Sequence, residues 1–328
     1  MVVCELIDRP NIEKPSHIGW HQYVANRHIE DRIGREKIKE IEFITVMDGH
    51  GGPQAAEYLT HRLPKIFEAH LSSSPSIREA LRHAFHAADS EWFKLVHPVY
   101  DLGFTSPIKV GACALAIAID QKEITVASVG DCKCVLAKKD GSVVDLNIER
   151  NINRKEEQER LRQLHPGEED IVRCKRFDPI RQVHSGCYVK GRLQPTKSFG
   201  DFHLKSSLVI KDHERGNAFL DPEIKKSFPY IDVEPDITVT SRSGNEHFLI
   251  AATDGLWDEF SSENAVEIVR RALEGGMSVD QAAVILVEAA LQNAATDRGI
   301  SIQELKQLPK GSSRRSVHDD ISVCVILV

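Results

Sequence analysis

Within one short stretch, Asp48-Gly49-His50-Gly51-Gly52 offers a carboxylate, an imidazole and consecutive glycines. A carboxylate beside a backbone carbonyl is an oxygen site for a hard divalent cation. An imidazole can carry a proton near neutral pH, and glycine lets the backbone turn sharply and approach a ligand. Taken alone, the stretch could serve only as a strand-to-helix turn. Other acids hold comparable positions, however. Asp131 follows Val129-Gly130, Asp254 follows Ala252-Thr253, and Asp319-Asp320 precede an apolar run from Ile321. Glu30-Asp31 lie between Ile29 and Arg32, where paired acids are ordinarily solvated. Carboxylates gathered without cations repel one another and are costly to bury, and a divalent ion removes that cost. If these chain positions converge, a metal centre is the physical inference; spacing alone does not establish convergence. Oxygen-only ligands select Mg²⁺ or Mn²⁺ over zinc. Four such acids would balance two divalent ions about 3.5–4 Å apart, able to deprotonate a water for in-line attack on phosphorus.

The elements that must position these groups are legible as periodicity. Residues 43–47 read as a buried strand delivering Asp48. Residues 54–71 carry apolar side chains at helical spacing, with Pro64 expected to kink them, and 76–96 form a second helix. Alternating runs at 111–119, 123–129 and 133–138, with an Asp140-Gly141 turn, predict antiparallel strands. Residues 153–164 predict a helix with a solvated charged face. A strand at 247–252 leads into Asp254, Ser261-Ser262-Glu263 cap a helix to Leu273, and Ser278 caps another to Asn293. The last strand is 321–328. Residues 168–190 and 205–235 are irregular, the latter a flap or insertion. With no repeat or linker, residues 1–328 are expected to form a single catalytic domain.

Hydrophobic content of 41% and charged content of 28% are ordinary for a globular enzyme. A net charge of −7 argues against nucleic-acid or anionic-membrane partners. No apolar run approaches the roughly 20 residues that span a bilayer. The N-terminal residues resemble neither a signal nor a transit segment, so an intracellular location, cytoplasmic or nuclear, is expected. The seven cysteines show no CxxC, and free thiols are the simple reading.

Together the motifs resemble the metal-dependent serine/threonine protein phosphatases of the type 2C (PPM) family. The marks, in order, are Glu30-Asp31, Asp48-Gly49-His50-Gly51-Gly52, Val129-Gly130-Asp131, Lys197-Ser198-Phe199-Gly200-Asp201, Thr253-Asp254-Gly255-Leu256-Trp257-Asp258 and His318-Asp319-Asp320-Ile321-Ser322-Val323. Ala25-Asn26-Arg27-His28-Ile29-Glu30-Asp31 and Val189-Lys190-Gly191-Arg192-Leu193-Gln194 bring it nearest the branch of pyruvate dehydrogenase phosphatases and some plant enzymes. The resemblance implies an α+β fold: a central β-sandwich of two antiparallel sheets, flanked by antiparallel helix pairs, with a metal cleft at one end. It implies a phosphorylated protein substrate and two Mg²⁺ or Mn²⁺ ions, with a third, weaker ion. Asp48 would bridge the ions, Glu30 and the Gly49 carbonyl complete one site, and Asp254 and Asp319 the other. Asp131 would serve the third. Asp31, Asp258 and Asp320 would hold waters or ligands around them. Phosphoserine and phosphothreonine would be hydrolysed by direct attack of a metal-bridging hydroxide, with His50 as general acid and no cysteine nucleophile.

One departure stands out. Where many members carry a phosphate-gripping Arg, this chain has Asn26. Asn cannot supply that charge, and Arg27, Arg32 and Arg192 are candidates to replace it. Cys132 stands where a Ser is common, and Cys132 and Cys134 are expected to pack in the core, as is Trp257. His318 is a distant second to His50 for a functional role. The alternatives are a catalytically weak pseudophosphatase acting as a protein-binding module, and a hydrolase of another phosphoester. Retention of Glu30, Asp48, Asp254 and Asp319 argues against the pseudophosphatase. A monomer is expected.

Overall fold

A computed structural model describes residues 17–328 except 176, 179–182, 185 and 210–226. The strands are β1 (Ile18–Tyr23), β2 (Arg32–Ile38), β3 (Ile41–His50), β4 (Gly111–Ile119), β5 (Glu123–Val129), β6 (Lys133–Lys138) and β7 (Val143–Asp145). There follow β8 (Val172–Cys174), β9 (Phe177–Asp178), β10 (Val183–His184), β11 (Cys187–Val189) and β12 (Phe199–Gly200), then β13 (Asp236–Ser241), β14 (Glu246–Ala252) and β15 (Ile321–Leu327). One antiparallel sheet runs β1-β15-β14-β6-β7. The other runs β13-β5-β4-β3-β2, with β12 paired to the end of β4. The first of these strands thus pairs with the last, Tyr23 opposite Ile321.

Side-chain alternation explains the layering. On β4, Ala112, Ala114, Ala116 and Ala118 face helices α1 (Gln54–Leu71) and α2 (Ile77–Asp101), while Cys113, Leu115, Ile117 and Ile119 face the other sheet. The strand is therefore buried on both sides rather than half-solvated, and its small residues let the helices approach closely. The second sheet repeats the scheme. Phe248, Ile250 and Ala252 of β14 pack on α6 (Ser262–Glu274) and α7 (Val279–Asp297), whereas Leu249 and Ala251 point between the sheets. This is the expected sandwich flanked by helix pairs. The expected caps are present: Ser76 accepts from Glu79, Ser261 from Asn264, and Ser278 closes a capping box with Gln281. Among the described residues no helix is long and apolar enough to cross a membrane.

Two expectations are corrected. The helix α3 (Lys155–Leu164) is not charged only toward solvent, because Glu157 is 2% exposed. It accepts hydrogen bonds from Arg150 at 2.6 Å and Arg160 at 2.8 Å, and contacts Thr196 as well. A helical pattern of charge says nothing of the loop that packs across it. Nor are all the cysteines free. Cys174 on β8 lies directly opposite Cys187 on β11, and the pair is disulfide-bonded. Cys113, Cys132, Cys134 and Cys324 are free and buried. Most of the irregular segment expected at 205–235 lies outside the described residues, as does Cys4.

Candidate metal centre

The polar cluster grows out of the apolar rows that face the sheet interface. On β3 the inward positions are Ile44 and Val46, and the same face continues to Asp48 and His50. On the opposite sheet, the inward row Leu249, Ala251 of β14 continues to Thr253, beside Asp254, the first residue of α5 (Asp254–Trp257). Glu30-Asp31 lie on the connection between β1 and β2, and Asp131 on that between β5 and β6. Both connections cross from one sheet to the other. Asp319 immediately precedes β15.

These segments meet at one end of the sandwich around a cleft of about 270 Å³. Carboxylate oxygens of Asp48, Asp131 and Asp254 lie within 4.8 Å of one another. Glu30, Gly49 and Asp319 line the same cleft. Convergence, which spacing left open, is therefore observed. Gly49 is required there by contact: a Cβ would stand 2.6 Å from the Glu30 carbonyl oxygen.

The electrostatics are those of acids lacking a counterion. Burial, and then the field of Asp254, Asp31, Asp319 and Asp131, pushes the Asp48 carboxyl well above its usual range. Burial followed by Asp319 and Asp131 does the same to Asp254, and burial raises Asp319 to about 6. The Asp254 Oδ1 is buried and has no hydrogen-bond partner. An orphaned carboxylate oxygen among mutually repelling acids fits a hard divalent cation.

The surrounding acids differ in what they do. Asp31, 2% exposed, accepts from Thr253 Oγ1 at 2.9 Å and ties the crossover to β14. Asp258 is exposed at the end of α5, in the field of Asp131, and does not line the cleft. Asp320 is engaged by protein rather than open to solvent. Its carboxylate accepts the backbone N–H groups of Ala25 (2.6 Å), Asn26 (3.0 Å) and Glu30 (3.0 Å), and Asn26 Nδ2 at 3.1 Å. The Asn26 amide is thereby turned onto Asp320, which weakens its candidacy as a phosphate ligand.

A buried partner of His50 has no counterpart in the sequence reading. His50 Nε2 lies 2.6 Å from Asp201 Oδ2, which also accepts from Ser198 Oγ at 2.7 Å. Asp201 is 1% exposed. Burial opposes charge on His50, but the charge and hydrogen bond of Asp201 outweigh it, so the ring's pKa sits above the ordinary value. The same contact holds the Asp201 carboxyl below its usual range against burial. With Nε2 committed, Nδ1 is the nitrogen left to serve the cleft. Gly111 makes room: a Cβ there would lie 2.0 Å from Asp201 Oδ2 and 2.6 Å from His50 Nε2. The only hint in the sequence was an acid ending the run Ser198-Phe199-Gly200-Asp201, and the imidazole nearest it in the chain is His203 rather than His50.

The candidate cations separate clearly. Arg32 is spent on Glu57 at 2.5 Å and on the Ile29 and Asp31 carbonyls. Arg27 is exposed and does not line the cleft, whereas Arg192 does. So does Arg315, which sequence reasoning passed over; its guanidinium pairs with Asp319. His318 is buried, with Nδ1 2.5 Å from the Asp319 carbonyl oxygen. Trp257, 8% exposed, packs in the core and donates to the Ala252 carbonyl at 3.1 Å. Cys132 and Cys134 are core residues between the sheets, as expected.

The sequence pattern of protein phosphatase 2C matches residues 14–299. The Arabidopsis thaliana protein described as probable protein phosphatase 2C 42 is 32% identical over 310 residues, covering 93% of this chain and 76% of that protein. Probable protein phosphatase 2C 28 of Oryza sativa subsp. japonica is 32% identical over 295 residues, covering 87% and 69%. Among solved structures, the serine-threonine phosphatase 2C from Toxoplasma gondii superposes with a TM-score of 0.62 at 18% identity, covering 94% of each chain. A sex-determining protein of C. elegans superposes at 0.64 and 18% identity; this chain matches over 96% of its length and spans 65% of that one. At such identity the superpositions speak for the fold.

Proposed function

Because this chain belongs to the protein phosphatase 2C family of metal-dependent serine/threonine phosphatases, we propose that its cleft hydrolyses phosphoserine and phosphothreonine in proteins, with Glu30, Asp48, the Gly49 carbonyl, Asp254 and Asp319 holding two Mg²⁺ or Mn²⁺ ions. The observation that carries this reading is the meeting of Asp48, Asp131 and Asp254 within 4.8 Å, with an Asp254 oxygen left unpartnered. Asp131 is the ligand of a third ion in this reading. Bound there, the ions would activate water for in-line attack and neutralise charge on the phosphoryl oxygens.

The residues of the chain supply the rest. His50, charged beside Asp201, delivers a proton to the departing seryl or threonyl oxygen. Asp201 keeps the imidazole oriented and its charged form favoured. Asp31 and Asp320 fix the crossover that presents Glu30, one through Thr253 and the other through three backbone N–H groups. The described parts of the chain from β1 to β15 serve as one catalytic unit. Nothing observed favours a binding-only module, and the uncompensated acids speak against one.

The test is hydrolysis of a phosphothreonine peptide with Mg²⁺ or Mn²⁺, with and without chelator, beside Asp254→Asn. Turnover that survives the chelator, or a fully active variant, overturns the reading.

A further inference from the structure

We propose that Arg315 supplies the phosphate-gripping charge that position 26 lacks, an inference that rests on the metal-centre reading above. Asn26 is neutral, and its amide is held by Asp320 at 3.1 Å. A phosphate dianion entering this cleft still needs a cation beyond the metal ions. Arginine is suited to it, since its planar fork binds phosphate oxygens in pairs.

Arg315 closes the short helix α9 (Ser312–Arg315), which follows α8 (Ile302–Gln307). That turn is bolted to the very loop that carries Asn26. Gly311 N–H donates to the Ala25 carbonyl at 2.8 Å. Arg314, 8% exposed, donates to the Val24 carbonyl at 2.9 Å, and to Lys306 and Leu308 carbonyls at 3.0 and 2.7 Å. Its guanidinium also lies over the Tyr23 ring, 5.4 Å from the centroid. Of two adjacent arginines, then, the first is structural and the second projects to the cleft. Arg315 is half-exposed, contacts Asp319 and lines the cleft. It thus contacts Asp319, and its field also reaches Glu30, acids that in the reading above would serve different ions. A charge absent from position 26 is thereby supplied to the cleft from a neighbouring turn packed on that loop. Arg192 also lines the cleft, three residues beyond β11, but it is exposed and has the like charge of Arg173 nearby.

The decisive experiment compares wild type, Arg315→Ala, Arg315→Lys and Arg192→Ala in Mg²⁺-loaded protein. Calorimetry reads the affinity for inorganic phosphate and, separately, for Mg²⁺; peptide hydrolysis reads KM and kcat. Arg315→Ala should weaken phosphate by about tenfold or more, as expected for a lost charge-assisted contact, and raise KM by more than it lowers kcat. Mg²⁺ affinity should stay within about threefold, and Lys should recover part of the loss. Unchanged phosphate affinity in Arg315→Ala, a larger loss in Arg192→Ala, or a matching loss of Mg²⁺ affinity overturns the proposal. A wild type that binds Mg²⁺ and phosphate but hydrolyses no phosphopeptide would instead refute the functional reading and leave the phosphate comparison decisive.

Discussion

His50 and Asp201, separated by 151 residues in the chain, meet at 2.6 Å with the carboxylate buried and the imidazole at the cleft wall. If the imidazole delivers the leaving-group proton, the need for Asp201 depends on the leaving group. Asp201→Asn is expected to lower kcat on a phosphothreonine peptide by about 10²-fold, within the range of acid catalysis. On p-nitrophenyl phosphate, whose leaving group needs little protonation, the loss should be much smaller. Equal losses on both substrates would sink the positioning role. The alkaline limb of the pH profile should also move to lower pH, because an acid stabilised by Asp201 loses its proton sooner without it.

Asp254→Asn removes one of several mutually repelling buried charges. The metal-free variant should melt higher than metal-free wild type at pH 7.5, by a few degrees at roughly 2–4 °C per kcal/mol. Added Mg²⁺ should then raise its melting temperature little, and turnover should fall by on the order of 10³-fold. A lower metal-free melting temperature would contradict the charge argument.

The raised carboxyls set a pH dependence of definite sign. In the metal-free protein Asp48, Asp254 and Asp319 (the last at about 6) release their protons at higher pH than they do in the unfolded chain. Their contribution to stability is present at low pH and is lost as pH rises through those raised values. Protons compete with metal over the same interval. Stabilisation by Mg²⁺, read as a shift in melting temperature, should therefore be larger at pH 7.5 than at pH 5. The reverse order would exclude these groups as the linked sites.

Arg150 bridges buried Glu157 on α3 to Asp236 on β13, at 2.6 Å to each. Arg150→Ala leaves Glu157 with fewer donors and should cost roughly 3 kcal/mol. Urea denaturation measures it. A loss below about 0.5 kcal/mol would place this contact with ordinary surface pairs.

Much of this molecule could be read before its structure. Helix 54–71 was expected with the boundaries observed, because its apolar spacing is unbroken and buried on one side. Asp48, Asp131, Asp254 and Asp319 drew notice as candidates because each lies within two residues of an apolar run, whereas Glu30 was picked out only by the family resemblance. What could not be read was set by contacts between distant segments. Asp201 acquires its role only when β12 pairs with β4 and brings it to His50. Asp320 was expected to hold waters or ligands around the ions, yet it collects donors from residues up to 295 positions away. Arg315 was hidden in an Arg-Arg pair whose members face different surroundings, and the Cys174–Cys187 bond depends on strand register rather than spacing.

The pairing of β1 with β15 also constrains biosynthesis. Glu30 is among the earliest cleft residues to leave the ribosome, but the Asp320 carboxylate that fixes its loop is made about 290 residues later. Until that last strand slots between β1 and β14, the translated chain has acids but no assembled centre. A product terminated before Asp319 would lack both that proposed metal ligand and the anchor of the Glu30 loop. If the centre works as proposed, dephosphorylation is expected to be absent from chains that end before β15.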